Sequence, residues 1–350
     1  VRGRGFRSGR GLRAVRRPRG ASGIRAATAA LLAAGLPAAA LLGGCGLVSG
    51  SPMSDDVKPG TVGRGLPLKG AQLTVTSKEF TENIVLGQIM GLVFEAAGAT
   101  VVDKTAIQGS IGAREAVRSG TADAMYEYTG TGWITYLGHT RPVADPHAQW
   151  VAVRDADRRN GIAWLPPSRL NNTYALALNA ANARKYGVRT LSDAAALLRR
   201  DPGAVTVCAE SEFTTRDDGL PGMTKAYGMD LPPGNVRRMT GGVVYTETAK
   251  GTSCTFGEVF TTDGRIAAMG LTVLKDDRHF FPNYNAAPEL NAAALRAHPQ
   301  IAGLLAPITA ALDNTVAREL NAEVDVAGRD PHQVAKDWLL KEGFIREGGG

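Results

Sequence analysis

The chain has 350 residues, with 44% hydrophobic and 21% charged side chains and a formal net charge of +7. That length allows two ordinary domains, and that mixture allows packed cores under a soluble surface. The positive excess lies in a leader: Arg2, Arg4, Arg7, Arg10, Arg13, Arg16, Arg17, Arg19 and Arg25 precede residue 26 without an acid, so the remainder offers no basic face for nucleic acid.

The leader runs into an Ala- and Leu-rich stretch over 26–42 and then into Leu42-Gly43-Gly44-Cys45. A positive start, an apolar centre and small residues before a cut form an export signal. The apolar centre is short against the roughly 20 residues that a spanning helix needs. Leu, two small residues and Cys resemble a bacterial lipoprotein box. That resemblance implies a signal peptide over 1–44 and Cys45 as the lipidated mature N terminus. Residues 45–70 carry Gly, Ser, Pro, Asp and Lys with no apolar period and are expected to form a flexible tether. The remaining cysteines are Cys208 and Cys254. An exported chain permits a bridge between them, and the sequence leaves open whether they meet.

The folded part opens with a β-branched strand over 72–76 and a helix from Thr81, its expected N-cap, to a stop at Gly98. A strand over 100–102, a helix over 111–118 and a strand over 122–125 follow. This alternation is doubly wound α/β logic. A short helix over 133–137 and another over 149–158 lead to a clear strand over 174–178. Helices over 181–186 and 192–200 precede a strand over 205–208. Further on, Val236 reads as strand, 242–250 as helix, and 254–260 and 271–274 as strands. The remainder reads as helix over 290–297, 301–312, 315–321 and 331–341, with Asp313 and Asp330 as caps.

Tyr126-Glu127-Tyr128-Thr129-Gly130-Thr131-Gly132 stands where a strand hands over to a helix. Rings, hydroxyls and glycines at that place suit a ligand. Strand alternation points Glu127 opposite to Tyr128. Enzyme signatures are not found. The five histidines lack metal-ligand spacing, and no G-x-S-x-G elbow, P-loop or dinucleotide fingerprint occurs, so no metal, cofactor or catalytic residue is assigned. Four segments at strand ends instead join a ring to small polar groups: Tyr128 with Thr131, Tyr174 with Asn172, Phe260 with Thr261, and Tyr284 with Asn283. Converging ring faces attract a cation that has no N–H to donate, such as a quaternary ammonium. Unrelated core or turn aromatics are the plainer explanation, and spacing alone does not decide between them.

The runs Ser77-Lys78-Glu79-Phe80-Thr81-Glu82, Asn171-Asn172-Thr173-Tyr174-Ala175-Leu176, Asp217-Asp218-Gly219-Leu220, Phe260-Thr261-Thr262-Asp263-Gly264-Arg265 and Phe280-Phe281-Pro282-Asn283-Tyr284-Asn285-Ala286-Ala287-Pro288 join the Tyr126 run in one order. Together they resemble the substrate-binding proteins of ABC importers for glycine betaine, choline and carnitine, over about residues 71–345. The resemblance implies a type II periplasmic-binding-protein fold with two α/β lobes, a hinge and an interlobe cleft. It implies one lobe over 71–172 and 283–350 and another over 173–282. By the same resemblance the cage is Tyr128, Tyr174, Phe260 and Tyr284, with Phe260 where the family usually has tyrosine. Lys78, Asn83, Thr131, Asn172 and Arg216 become candidates for the ligand's polar end. The implied protein is a monomeric, non-enzymatic lipoprotein on the outer face of the cell membrane. Its implied partners are an ABC permease and its ATPase. A binder of another small solute, such as an amino acid or polyamine, and a secreted hydrolase-type lipoprotein remain alternatives.

Overall fold

The computed structural model describes residues 50–348, so Cys45 and the leader lie outside the described residues. In chain order the strands are β1 (Ser51–Pro52), β2 (Val57–Pro59), β3 (Gln72–Lys78), β4 (Thr100–Ile107), β5 (Ala124–Tyr128), β6 (Ile162–Trp164) and β7 (Tyr174–Asn179). Then come β8 (Val207–Ala209), β9 (Val236–Arg238), β10 (Phe256–Phe260), β11 (Leu271–Val273), β12 (Ala286–Asn291) and β13 (Ile345–Glu347). They form a six-stranded sheet in the order β1-β4-β3-β5-β12-β6, a five-stranded sheet in the order β11-β7-β10-β8-β9, and the pair β13-β2. β3 runs parallel to β4 and β5, as short strand–helix–strand units require, while β12 enters antiparallel between β5 and β6.

Helix α1 (Thr81–Ala96) is buried on almost every side, including Val85, Leu86, Ile89, Met90, Leu92, Val93 and Phe94. A helix apolar all round belongs inside a core. α1 lies between β3, β4 and the helix Pro331–Lys341. Thr81 is not its N-cap: Phe80 holds that position, and the Thr81 hydroxyl donates to Asp325 at 2.7 Å. Asp313 and Asp330 do cap their helices, accepting backbone N–H groups of Thr315, Val316 and Gln333.

The chain passes from the six-stranded to the five-stranded sheet between β6 and β7 and returns between β11 and β12. The two crossings touch: Asn171 bridges Asn285, Asn172 N donates to Tyr284 O at 3.1 Å, and Tyr284 N donates to Asn171 Oδ1 at 2.8 Å. This is the two-lobe, hinged architecture of a type II periplasmic-binding-protein fold. Beside the crossings the lobes meet closely. A Cβ on Gly264 would lie 2.7 Å from Ala322 of the helix Asn314–Asp325.

Two further expectations need correction. The expected tether over 45–70 is docked for much of its length. β1 pairs with β4, β2 pairs with β13, and Leu68 is buried, because backbone pairing and a few apolar contacts suffice without periodicity. Asp55 fixes the same segment by a hydrogen bond with His332 Nε2 at 2.7 Å and an ion pair to Lys336 at 3.0 Å. The expected helix over 290–297 begins only at Ala292, because Leu290 and Asn291 finish β12.

Cys208 is the middle residue of β8 and is bonded to Cys254 just before β10, with Cα atoms 5.7 Å apart and a sequence separation of 46. The bridge closes that long loop within the five-stranded sheet. Replacing both cysteines by alanine should lower the unfolding free energy by about 2–4 kcal/mol in urea titrations. An unchanged midpoint and slope would show that the bridge adds nothing to stability.

Candidate functional site

A small cavity between the two sheets leaves about 40 Å³ open to the centres of water molecules. Its wall includes Tyr128, Tyr174, Phe260, Tyr284, Lys78, Thr131, Asn172 and Arg216. Strand register explains the convergence of the rings. Phe260 ends β10 directly opposite Tyr174, which begins β7. Tyr128 ends β5 opposite Ala286, two residues after Tyr284. Tyr174 stands 5.2 Å from Phe260 and edge-on at 5.4 Å to Tyr284, measured between ring centres. Gly130 is required here, since a Cβ on it would lie 2.6 Å from the Tyr284 ring.

Phe80 is a fifth ring that sequence reasoning missed. It stacks on Phe260 at 5.2 Å and lies 5.9 Å from Tyr128. The available signal was its position: it follows the carboxyl end of β3 as Tyr128 ends β5. Asn83, in contrast, does not line the cavity. Its Oδ1 accepts Lys78 N at 2.6 Å and its Nδ2 donates to Tyr126 O at 2.9 Å, so it braces the turn between β3 and α1.

Two buried cations stand in the wall, and each has a carboxylate. Lys78 Nζ lies 2.7 Å from Glu127 Oε1 and 4.8 Å from the Tyr128 ring centre. Arg216 donates to both oxygens of Asp218, at 2.7 and 2.5 Å, and lies 5.6 Å from the Tyr174 ring centre. Arg216 also reaches Thr131 Oγ1 at 3.3 Å, and the Tyr284 hydroxyl donates to Asp218 Oδ2 at 2.7 Å. The Tyr128 hydroxyl and Asn172 Nδ2 both donate to Glu82 Oε1, at 2.7 and 2.9 Å. Burial pushes the phenols of Tyr128, Tyr174 and Tyr284 well above their ordinary range, so all three stay neutral. The inner wall therefore presents neutral ring faces and two cations that are each paired with a carboxylate. That surface suits a small solute with an apolar cation at one end. Among the described residues no group of His, Cys, Asp or Glu is placed to hold a metal ion.

Residues 71–341 match the family described as the substrate binding domain of the ABC-type glycine betaine transport system. The chain is 37% identical over 281 residues to a glycine-betaine-binding protein of Pseudomonas aeruginosa, covering 79% of this chain and 89% of that protein. It is 34% identical over 289 residues to the glycine betaine-binding protein YehZ of Escherichia coli, covering 80% of this chain and 94% of that protein. It is also similar to a solved glycine betaine/carnitine/choline ABC transporter structure, with a TM-score of 0.63, 27% identity, and coverage of 78% of this chain and 99% of that chain.

The mouth of the cavity is acidic. Glu79, Glu210 and Glu212 line it and also line the wider cleft outside. Glu210 has its pKa pushed up to about 7, by burial first and then by the charges of Glu79 and Glu212. Glu258, buried behind it, is pushed up by burial and by Glu210. An unperturbed glutamate titrates near 4.5, so between 4.5 and about 7 the folded protein keeps a proton that the unfolded chain has lost. Stability from this group is then highest at the acid end of that window and falls as pH rises to about 7. Glu210→Gln should flatten the decline in melting temperature between pH 5 and pH 7.5. Parallel declines in variant and wild type would contradict this account of Glu210.

Proposed function

The chain belongs to the family of substrate-binding domains of ABC-type glycine betaine transport systems, and from that premise we propose that its ring-lined cavity captures quaternary ammonium osmolytes for an ABC permease. Glycine betaine, choline and carnitine are the candidate ligands. The observation that carries the reading is the convergence of five rings from both sheets on one small cavity. A trimethylammonium group offers no N–H, so ring faces are the surface that favours it over water, each by about 0.5–2 kcal/mol when desolvated. We assign Tyr128, Tyr174, Phe260, Tyr284 and Phe80 to the cation. We assign Lys78, Thr131, Asn172 and Arg216 to the ligand's polar end. Phe260 keeps a ring face and lacks a hydroxyl.

The lobes are taken as residues 71–172 with 283–350, and 173–282. A ligand touching both favours the closed form by its differential affinity. Binding proteins of ABC importers work outside the cytoplasm, and no helix among the described residues is long and apolar enough to cross a membrane. Lipidation at Cys45 would then hold a monomer at the outer face of the membrane, where the permease, driven by its ATPase, meets the closed form. No bond is made or broken in this role.

Calorimetry tests the assignment. Tyr128→Ala and Tyr284→Ala should each weaken glycine betaine binding at least about tenfold, and Phe80→Ala should weaken it comparably. Phe260→Tyr should remain within about threefold of wild type, since the ring face is kept. Wild-type affinity in both tyrosine variants would end the cage assignment.

A further inference from the structure

Glu82 is a carboxylate that belongs to neither ion pair of the cavity. It lies in the first turn of α1 and is 4% exposed. It accepts four hydrogen bonds from four different segments. Oε1 takes the Tyr128 hydroxyl at 2.7 Å and Asn172 Nδ2 at 2.9 Å. Oε2 takes the Thr262 hydroxyl at 2.5 Å and Asn321 Nδ2 at 3.1 Å. Tyr128 ends β5 of the six-stranded sheet, Asn172 lies in the first crossing, and Asn321 sits on the helix Asn314–Asp325. Thr262 follows β10 of the five-stranded sheet and so comes from the other lobe.

Thr262 is held at each of its polar groups by that opposite side. Its hydroxyl goes to Glu82, its N–H donates to Asn172 Oδ1 at 3.4 Å, and its carbonyl accepts Asn321 Nδ2 at 2.9 Å. Thr262 is fully buried and does not line the cavity. Glu82 likewise does not line the cavity, whereas Tyr128 and Asn172 do.

We propose that Glu82 is a positioning residue that latches Thr262 of the second lobe and, through the same carboxylate, sets the Tyr128 ring, so that lobe closure and cage geometry are one event. The inference rests on the reading of a two-lobe binding protein whose lobes open. It adds a lock that acts without touching the bound solute. The residue type fits the task. A carboxylate's two oxygens offer lone pairs to all four donors, whereas glutamine would set its own amide donor against those of Asn172 or Asn321. Two cage rings from opposite lobes are tied to this one group, Tyr128 directly and Phe260 two residues upstream of Thr262. When the latch opens, both rings lose their fixed positions.

Thr262→Val tests the latch, because it keeps the shape of the side chain and removes only the hydroxyl. Spin labels at the exposed positions Ser119 and Arg199, one on each lobe, report the interlobe distance in ligand-free protein. Thr262→Val should move that distribution to longer separations. It should also speed release of radiolabelled glycine betaine about tenfold, with association changed by less than about threefold. Glu82→Gln should do the same, and the double variant should release no faster than Glu82→Gln alone within about twofold. Thr262→Ser, which restores the hydroxyl, should restore both readouts and provides the control if the valine variant folds poorly. A wild-type distance distribution and release rate in folded Thr262→Val would overturn the latch. The distance readout needs no ligand. A shifted distribution in a protein that fails to bind betaine would uphold the latch and reject the ligand assignment. Normal betaine binding with an unmoved distribution would do the reverse.

Discussion

Two cations buried among aromatic rings are tolerable only if each is neutralised in place, and the site depends on that condition. Lys78 and Arg216 lie near the faces of Tyr128 and Tyr174, rings that we propose for the ligand's cation. Left alone, either would carry a large desolvation penalty and would repel an incoming ammonium. Glu127 and Asp218 remove that conflict. Each also accepts from a phenol: Glu127 from Tyr136 at 2.5 Å and Asp218 from Tyr284 at 2.7 Å. The same carboxylates that cancel charge therefore also orient the surroundings. Glu127, which looks from its sequence position like the cation's own partner, acts one step behind the wall.

The network continues away from the cavity into the six-stranded sheet. Arg114 joins Asp157 at 2.5 Å and Glu289 at 2.8 Å, and its guanidinium lies 4.9 Å from the Tyr136 ring centre. Burial pushes Glu289 up to about 8 despite that arginine. Trp164 Nε1 donates to Asp157 Oδ2 at 2.7 Å, tying β6 to the cluster. Buried charge on this scale contributes little net stability, while removing one partner alone would cost about 3–5 kcal/mol by leaving an uncompensated charge.

Much of this was legible in the sequence, and the failures have physical causes. The rings at strand ends, the α/β alternation and the caps at Asp313 and Asp330 follow from local chemistry, which a sequence displays. β12 did not: Pro288 sits inside it opposite Tyr126, and proline ordinarily argues against an interior strand. Its place between β5 and β6 is a tertiary fact. Phe80 was passed over because a phenylalanine before a helix reads as a packing residue, and only its stacking on Phe260 brings it to the cavity. Asn83 has the right composition for a ligand contact, yet backbone groups of Lys78 and Tyr126 claim it first. The docked segment around β1 and β2 is held by backbone pairing and by Asp55, neither of which leaves a periodic trace.

The placement of β12 bears on how the chain reaches this fold. The five-stranded sheet is built from one uninterrupted segment, β7 to β11, and every contact within it is available once that segment has emerged. The six-stranded sheet is not. Until β12 arrives, the outer edge of β5 has no partner, and that edge carries Met125, Tyr126 and Tyr128. A chain delivered N-terminus first thus exposes an apolar, unpaired edge while an entire lobe is still being made. Such edges are where chains associate with one another. The insertion that creates the cleft also makes the discontinuous lobe the last to close and the stage most exposed to aggregation.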